Sequence, residues 1–394
     1  MAAWNAVLRP SPSIPVTPYY VLSPLIGILL LLRTSWAGRW LLWFLLVACY
    51  GLVVGTTYGV PILMQAAQLL KFVQLLIFFG LLTWLCRVDP VAPFKLHSMV
   101  QMLTILIFII AGIQAVTGLE FPTVVNEGSS EWLNAYFYTP NDLGLFLSGV
   151  VCIVLMSKNK IWVKLLFFIA AFGLNLRNDA KAAILASLLM IGMYVLVHLS
   201  LWLRIRPLIA VLILIVSVPL FVIAMGDIQI DFYGTEFNFT QLFLDPLDHI
   251  VNLEPYNLGG SIFDRTDAFI YALSELKATN FFGLGPAGTV HMLSMPNFEL
   301  LSAKSLHNAI AELMVEFGPV ALLLGLYLLR PLWRALVSTR PTQHQIGMIC
   351  LLAGAPMLSL SQSSGYISNY AFWLTTFIIW HQPILFSQGI QKKY

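Results

Sequence analysis

Residues 98–117 read SMVQMLTILIFIIAGIQAVT, twenty residues without one charged side chain. A helix of that length rises about 30 Å, the thickness of a bilayer's hydrocarbon core. The rest of the 394-residue chain repeats the pattern. Apolar residues make up 59% of it and charged residues 10%, against roughly 25% charged in a soluble globular domain. That excludes a single water-soluble core, and it excludes a disordered chain. The apolar runs are long and continuous, unlike the alternating strands of an outer-membrane barrel. The composition predicts an all-α polytopic membrane protein.

Apolar segments near 19–32, 40–56, 61–85, 98–117, 142–157, 160–176, 181–203, 207–225, 306–329, 345–361 and 366–387 predict about eleven transmembrane helices, within a range of ten to twelve. Alternation of these spans puts Arg33, Arg39, Arg87, Lys95, Lys158, Lys160, Lys164, Arg204, Arg206, Arg330, Arg334, Arg340, Lys392 and Lys393 on one side, fourteen of the twenty-one basic residues. Cytoplasmic loops carry the Lys and Arg excess, so that side is cytoplasmic and holds the C-terminus. An odd number of spans places the N-terminus outside. Arg9, Arg177, Lys181, Arg265, Lys277 and Lys304 fall on the outer side, and Lys71 lies inside a span.

The chain divides into residues 1–225 with about eight spans, an outer loop at 226–305, and residues 306–394 with about three spans. The loop is eighty residues long and holds ten of the eighteen acidic residues. A loop that long is a functional or a disordered element. Its Pro and Gly turns and the helix-like run from Arg265 to Ala278 predict a small extracytoplasmic cap. A second outer loop, 118–141, carries Glu120, Glu127 and Glu131. No internal repeat is evident, which weakens an inverted-repeat transporter.

Cys49, Cys86, Cys152 and Cys350 are widely spaced in apolar segments, the habit of packing cysteines and not of a disulfide framework or zinc site. Pro10, Pro12, Pro15 and Pro18 do not fit a cleavable signal peptide, so the first span is expected to stay. A net charge of +3 with scattered basic residues predicts no nucleic-acid partner.

Four stretches combine polar chemistry with position. In SAKSLHNAIAELMVEFGP (302–319), Lys304, His307 and Asn308 stand where the chain re-enters the membrane. Asn308, Glu312 and Glu316 share one helical stripe, with His307 about 180° from Glu316. Ionisable side chains inside a span mark function by default, and a histidine titrates near neutrality. The alternative is that these groups satisfy one another between helices. In SIFDRTDAFIYALSELKATNFFGLGPAG (261–288), Arg265 opens a helical run that ends in the turn Gly283-Leu284-Gly285-Pro286. A guanidinium grips phosphate bidentately, while an ion pair with Asp264 or Asp267 is an equal alternative. In NLRNDAKAAILASLL (175–189), Arg177, Asp179 and Lys181 crowd a short outer turn, as for a polyanionic headgroup or as a plain solvated hairpin. In YTPNDLGLFL (138–147), Pro140, Asn141 and Asp142 carry an N-cap signal.

Walker and HExxH motifs are absent, as are a His-rich cluster and an Asp-x-Asp pair. No metal, nucleotide or other cofactor is expected, and chemistry is expected on the outer face.

Taken in order, these stretches resemble the O-antigen ligase and surface-polysaccharide polymerase superfamily of bacterial envelopes. The likeness covers about 140–330: PNDLGLFL, the short outer turn, Gly-Ser-x-x-x-x-Arg, GLGP, and HN followed by EFG. His307, Asn308, nine residues and then Gly318 reproduce the ligase-type spacing, although Ala321 stands where that signature has Gly, Thr or Tyr. The resemblance implies a glycosyltransferase-C-like fold and metal-independent glycan transfer from an undecaprenyl-diphosphate-linked oligosaccharide at the inner membrane. It implies that Arg265 neutralises the diphosphate, that His307 activates the acceptor or orients the donor, and that Glu316 with Gly318 shapes the helix behind it. Lys181 stands where the family has Arg, with Arg177 as a substitute, and Lys304 and Asn308 join the substrate contacts. Asn141, Gly283 and Gly285 complete the motifs. Implied partners are the acceptor glycan or lipid, membrane lipids, and flippase and chain-length-regulator proteins. A polymerase is the leading expectation. A ligase delivering finished glycan to a lipid core or protein is the alternative, and a lipid-linked glycan transporter is the non-enzyme rival.

Overall fold

The computed structural model describes residues 18–89, 91–118, 133, 135, 137, 140–157, 160–178, 180–224, 229–232, 235–238, 245–256, 261–295, 306, 308–360 and 372–379. Apolar sequence satisfies its backbone without water only by bonding within the segment, so these stretches fold as helices. They run α1 (Pro18–Arg33), α2 (Ser35–Tyr58), α3 (Ile62–Val88), α4 (Ala92–Thr117), α5 (Pro140–Met156), α6 (Ile161–Arg177), α7 (Lys181–Trp202) and α8 (Pro207–Ala224). Next come an antiparallel hairpin of β1 (Gln229–Phe232) and β2 (Thr235–Asn238), then α9 (Asp245–Asn252), α10 (Ser261–Ala278) and α11 (Gly288–Leu293). The chain continues with α12 (Ala309–Phe317), α13 (Pro319–Val337) and α14 (Gln343–Leu360). Residues 372–379 are also helical.

Three helices, α3, α4 and α7, are long and apolar enough to cross a membrane, at 27, 26 and 22 residues. Shorter apolar stretches are Leu22–Arg33, Leu42–Tyr58, Asn141–Met156 and Pro207–Ser217. Large apolar side chains such as Leu63, Met102 and Val116 face outward at 82, 72 and 86% exposure. A surface of that kind is suited to lipid and not to water.

Two features depart from the sequence reading. The segment 306–329, expected as one span, is divided at Gly318, where φ is +50° and ψ −127°. Pro319 removes the next backbone donor and disfavours a helical residue before it. The outer loop also holds a short hairpin, so the all-helical expectation has one exception among the described residues. The helix-like run from Arg265 lies within α10, and the rest of the last expected span, 366–371 and 380–387, lies outside the described residues.

The chain forms two compact units. One comprises Met1–Leu45, Leu70–Val195 and Arg340–Tyr394. Within it α5 is central and packs on α4, α6 and α14. Leu143, Phe146, Leu147 and Cys152 of α5 are fully buried. Gly144 seats Ala183, Gly149 seats Thr375, and Gly347 of α14 seats Met156. Small residues let helix backbones approach in this way. The Asn178 side chain holds Leu133 at both backbone groups, accepting from its N–H at 2.7 Å and donating to its carbonyl at 3.0 Å. Gln114 Oε1 accepts from the Ala135 N–H at 2.8 Å.

The other unit comprises Leu46–Leu69 and Leu196–Thr339. Its core joins Ala268, Ala272 and Leu276 of α10, Leu284, Met292 and Leu293 around α11, and Leu306, Ala311 and Val315 at α12. Tyr58, Phe269 and Tyr271 pack against that core.

Candidate functional site

The GLGP turn organises the second unit. Gly283 and Gly285 have φ of +98° and +81°, conformations open to glycine at no steric cost. The turn lies directly on the C-terminal end of α12. The Leu284 N–H donates to the Val315 carbonyl and the Gly285 N–H to the Glu316 carbonyl, both at 2.9 Å. A Cβ on Gly283 would stand 2.6 Å from the Glu316 oxygen, and one on Gly285 would overlap the backbone of Gly55. Gly318 has the same constraint, since its Cβ would strike the Phe281 carbonyl. Turn and helix break therefore fit as two complementary irregularities.

The second half of α2 forms the seat beneath. Pro286 packs on Gly51, and Gly285 packs on Gly55. Gln65 of α3 is fully buried, and its Nε2 donates to the Val60 carbonyl at 2.8 Å. Two phenols of α2 tie the seat to the outer loop. Tyr50 Oη–H donates to the Phe282 carbonyl at 2.5 Å, and Tyr58 Oη–H to Glu275 Oε2 at 2.9 Å.

The stripe expected on α12 is present and buried. Asn308 caps the helix, its Oδ1 accepting from the Ala311 N–H at 3.1 Å. Glu312 and Glu316 are 2% and 1% exposed. Both face Thr289 of α11, whose hydroxyl lies 2.9 Å from Glu316 Oε1 and 3.3 Å from Glu312 Oε1. A hydroxyl has one proton. The shorter contact takes the larger share of it. Buried carboxylates need such donors, because desolvation without them is costly.

Asn308, Glu316, Gly283, Gly285 and Gly318 are thus brought together in one packed element. Arg265 lies in the second turn of α10, with its side chain outside the described residues. His307 and Lys304 also lie outside them, although their neighbours frame the position: Leu306 is buried in the core and Asn308 is the α12 cap. Asp267, weighed as an Arg265 partner, accepts from the Tyr256 N–H at 2.7 Å. On α10, burial pushes the Tyr271 phenol up, and the Asp267 charge adds to it.

The remaining expected residues belong to the first unit. Arg177 ends α6 and Lys181 begins α7, both exposed, with Asn178 between them holding Leu133. Asn141 lies in the first turn of α5, half-buried. All four cysteines are free. Among the described residues no group of three or more His, Cys, Asp or Glu side chains is placed to hold a metal ion.

Sequence reasoning missed Thr289, the phenols Tyr50 and Tyr58, and the glycine seat on α2. The seat had a signal, since Gly51 and Gly55 in GLVVG have the small-x-x-x-small spacing of close helix packing. Thr289 had none, because only the fold turns it toward α12.

No family model matches the chain, and no curated protein matches it.

Proposed function

We propose that this chain is an envelope polysaccharide polymerase. It transfers glycan from an undecaprenyl-diphosphate-linked donor to a lipid-linked acceptor sugar on the outer face of the bacterial inner membrane. The observation that carries the reading is the convergence of the Gly283–Pro286 turn, the Asn308-capped helix and the Gly318 break in one packed element. Those are the pieces of sequence on which the resemblance to the polymerase and ligase superfamily rests.

The reaction needs neither metal nor nucleotide. The acceptor hydroxyl attacks the anomeric carbon of the donor sugar, and the bond to the diphosphate oxygen breaks. His307 takes the hydroxyl proton, a task suited to a group titrating near neutrality. Arg265 stabilises the charge that develops on undecaprenyl diphosphate as it leaves. Arg177, Lys181 and Lys304 add cations on the same outer side in the eleven-span arrangement. Glu316 and Gly318 hold the helix behind His307.

Contacts within each unit support that sidedness. Residues 50–60 meet 275–286 in the second unit, as expected if both are outer. In the first unit, Leu133 meets Asn178, both outer, and Gly347 meets Met156, both inner.

The spacing from His307 and Asn308 to Gly318 favours the ligase as the second reading, and Ala321 counts against it. The test is deletion of the gene in its host, with wild type, His307→Ala and Arg265→Ala returned in parallel and surface glycans run on a gel. A single repeat unit on the lipid core is the polymerase result, and both alanine variants are expected to leave that short band. Bare core with long glycan on the polyprenyl carrier is the ligase result. Normal glycan from both variants at normal expression removes the catalytic assignment and favours the transporter.

A further inference from the structure

The turn that docks on α2 does so well below the end of that helix. Tyr50, whose hydroxyl bonds the Phe282 carbonyl, precedes Tyr58, the last residue of α2, by eight residues. Eight residues of helix span about 12 Å. The turn therefore lies beside the apolar interior of α2 and not above its end.

Its backbone is equipped for such a place. Irregular backbone is tolerated at membrane depth only where its polar groups have protein partners. The Phe281 N–H donates to the Leu276 carbonyl at 2.9 Å and the Phe282 N–H to the Thr279 carbonyl at 3.1 Å. The N–H groups of Leu284 and Gly285 are taken up by α12, and the Phe282 carbonyl by Tyr50.

Two side chains point the other way. Phe281 and Phe282 are each 58% exposed. Asn280 and Phe281 have φ of +52° and +64°. A bulky residue adopts the left-handed region only at a cost. Here that conformation leaves the phenyl rings facing outward from the adjoining core. The surface around them is apolar too. Their backbone lies against Gly318, and Met314 and Leu322, four residues to either side, are 44% and 54% exposed.

We propose that the Asn280–Pro286 turn is a re-entrant element, dipping into the bilayer from the side on which α2 ends, with Phe281 and Phe282 in contact with lipid acyl chains. The inference rests on the chain's spanning a membrane and not on glycosyl transfer. It makes the turn a membrane-anchored part of the second unit, so that lipid contact and the seating of α12 are coupled through the same five or so residues.

The experiment uses the full chain in lipid nanodiscs, with the four native cysteines replaced by alanine. A nitroxide is attached at Phe282→Cys, and its collisions with oxygen and with a water-soluble nickel chelate are measured. Val53→Cys on α2 and Glu254→Cys beyond α9, both exposed, supply the lipid and water references. The expected result is an oxygen-to-nickel accessibility ratio at position 282 close to that at 53 and several-fold above that at 254. A ratio like that at 254 overturns the proposal, as does low access to both reagents, which means protein covers the ring. Water-like access at position 53 as well overturns the membrane reading beneath it. A second measurement needs no substitution: a lipophilic carbene precursor photolysed with the unaltered chain should label Phe281 or Phe282. Label on α2 without label on either phenylalanine overturns the proposal even if the cysteine variant misfolds.

Discussion

Around α5, Gly149 faces the side chain of Thr375, Gly347 that of Met156 and Gly354 that of Met190. Around the GLGP turn the glycines face backbone instead: Gly283 the Glu316 carbonyl, Gly285 the Cα and N of Gly55, and Gly318 the Phe281 carbonyl. Side chains have rotamers and can move aside, whereas two backbones in contact have nowhere to go without shifting whole elements. The first arrangement is ordinary helix packing, tolerant of repacking. The second fixes the path of the chain through Asn308, Glu312 and Glu316, which is what a site with held side chains requires.

The largest expected effect tests that difference directly. Gly285→Ala forces a left-handed alanine and drives its methyl group into the Gly55 backbone. Strain and overpacking together should cost about 3 kcal/mol or more. The readout is the apparent melting temperature of the purified chain, and a shift of a degree or less removes the claim that this contact fixes the unit. Thr289→Val comes next. It keeps the shape and removes the hydroxyl between Glu312 and Glu316, at an expected cost of about 2 kcal/mol for a hydrogen bond to a charged group. Thr289→Ser should recover most of it. If valine and serine melt alike, packing and not the hydroxyl holds α11 to α12.

The same contrast explains what could be read from the residues in advance. Helices α3, α4 and α7 match the segments 61–85, 98–117 and 181–203 within a few residues at most ends, because an uncharged apolar run states its own conformation. The stripe of Asn308, Glu312 and Glu316 was legible for the same reason: it depends only on the helical period. The break at Gly318 was hidden, since Phe-Gly-Pro carries a turn signal that the surrounding apolar residues mask. Nor could the chain say that residues 283–286 would meet 51–55, more than two hundred positions away. Periodicity describes one element at a time, and the seat for the turn is a property of three.

The smallest expected effect comes from the matched substitution in the other unit. Gly347→Ala lies inside α14, where alanine is favoured over glycine by about 1 kcal/mol. Its methyl group would meet the Sδ, Cγ and Cε of Met156, the last residue of α5 and 8% exposed. Methionine has three rotatable bonds and fills irregular gaps, so it can swing outward at modest cost. Gain and displacement oppose each other, and the net change should stay within about 1 kcal/mol. Melting Gly347→Ala beside Gly285→Ala checks this under one set of conditions. Equal losses would mean that the α5 unit is as unyielding as the turn, and that facing a side chain offers no more freedom than facing a backbone. A near-neutral Gly347→Ala beside a crippled Gly285→Ala would locate the constraint in backbone contact itself, since both substitutions add the same single methyl group.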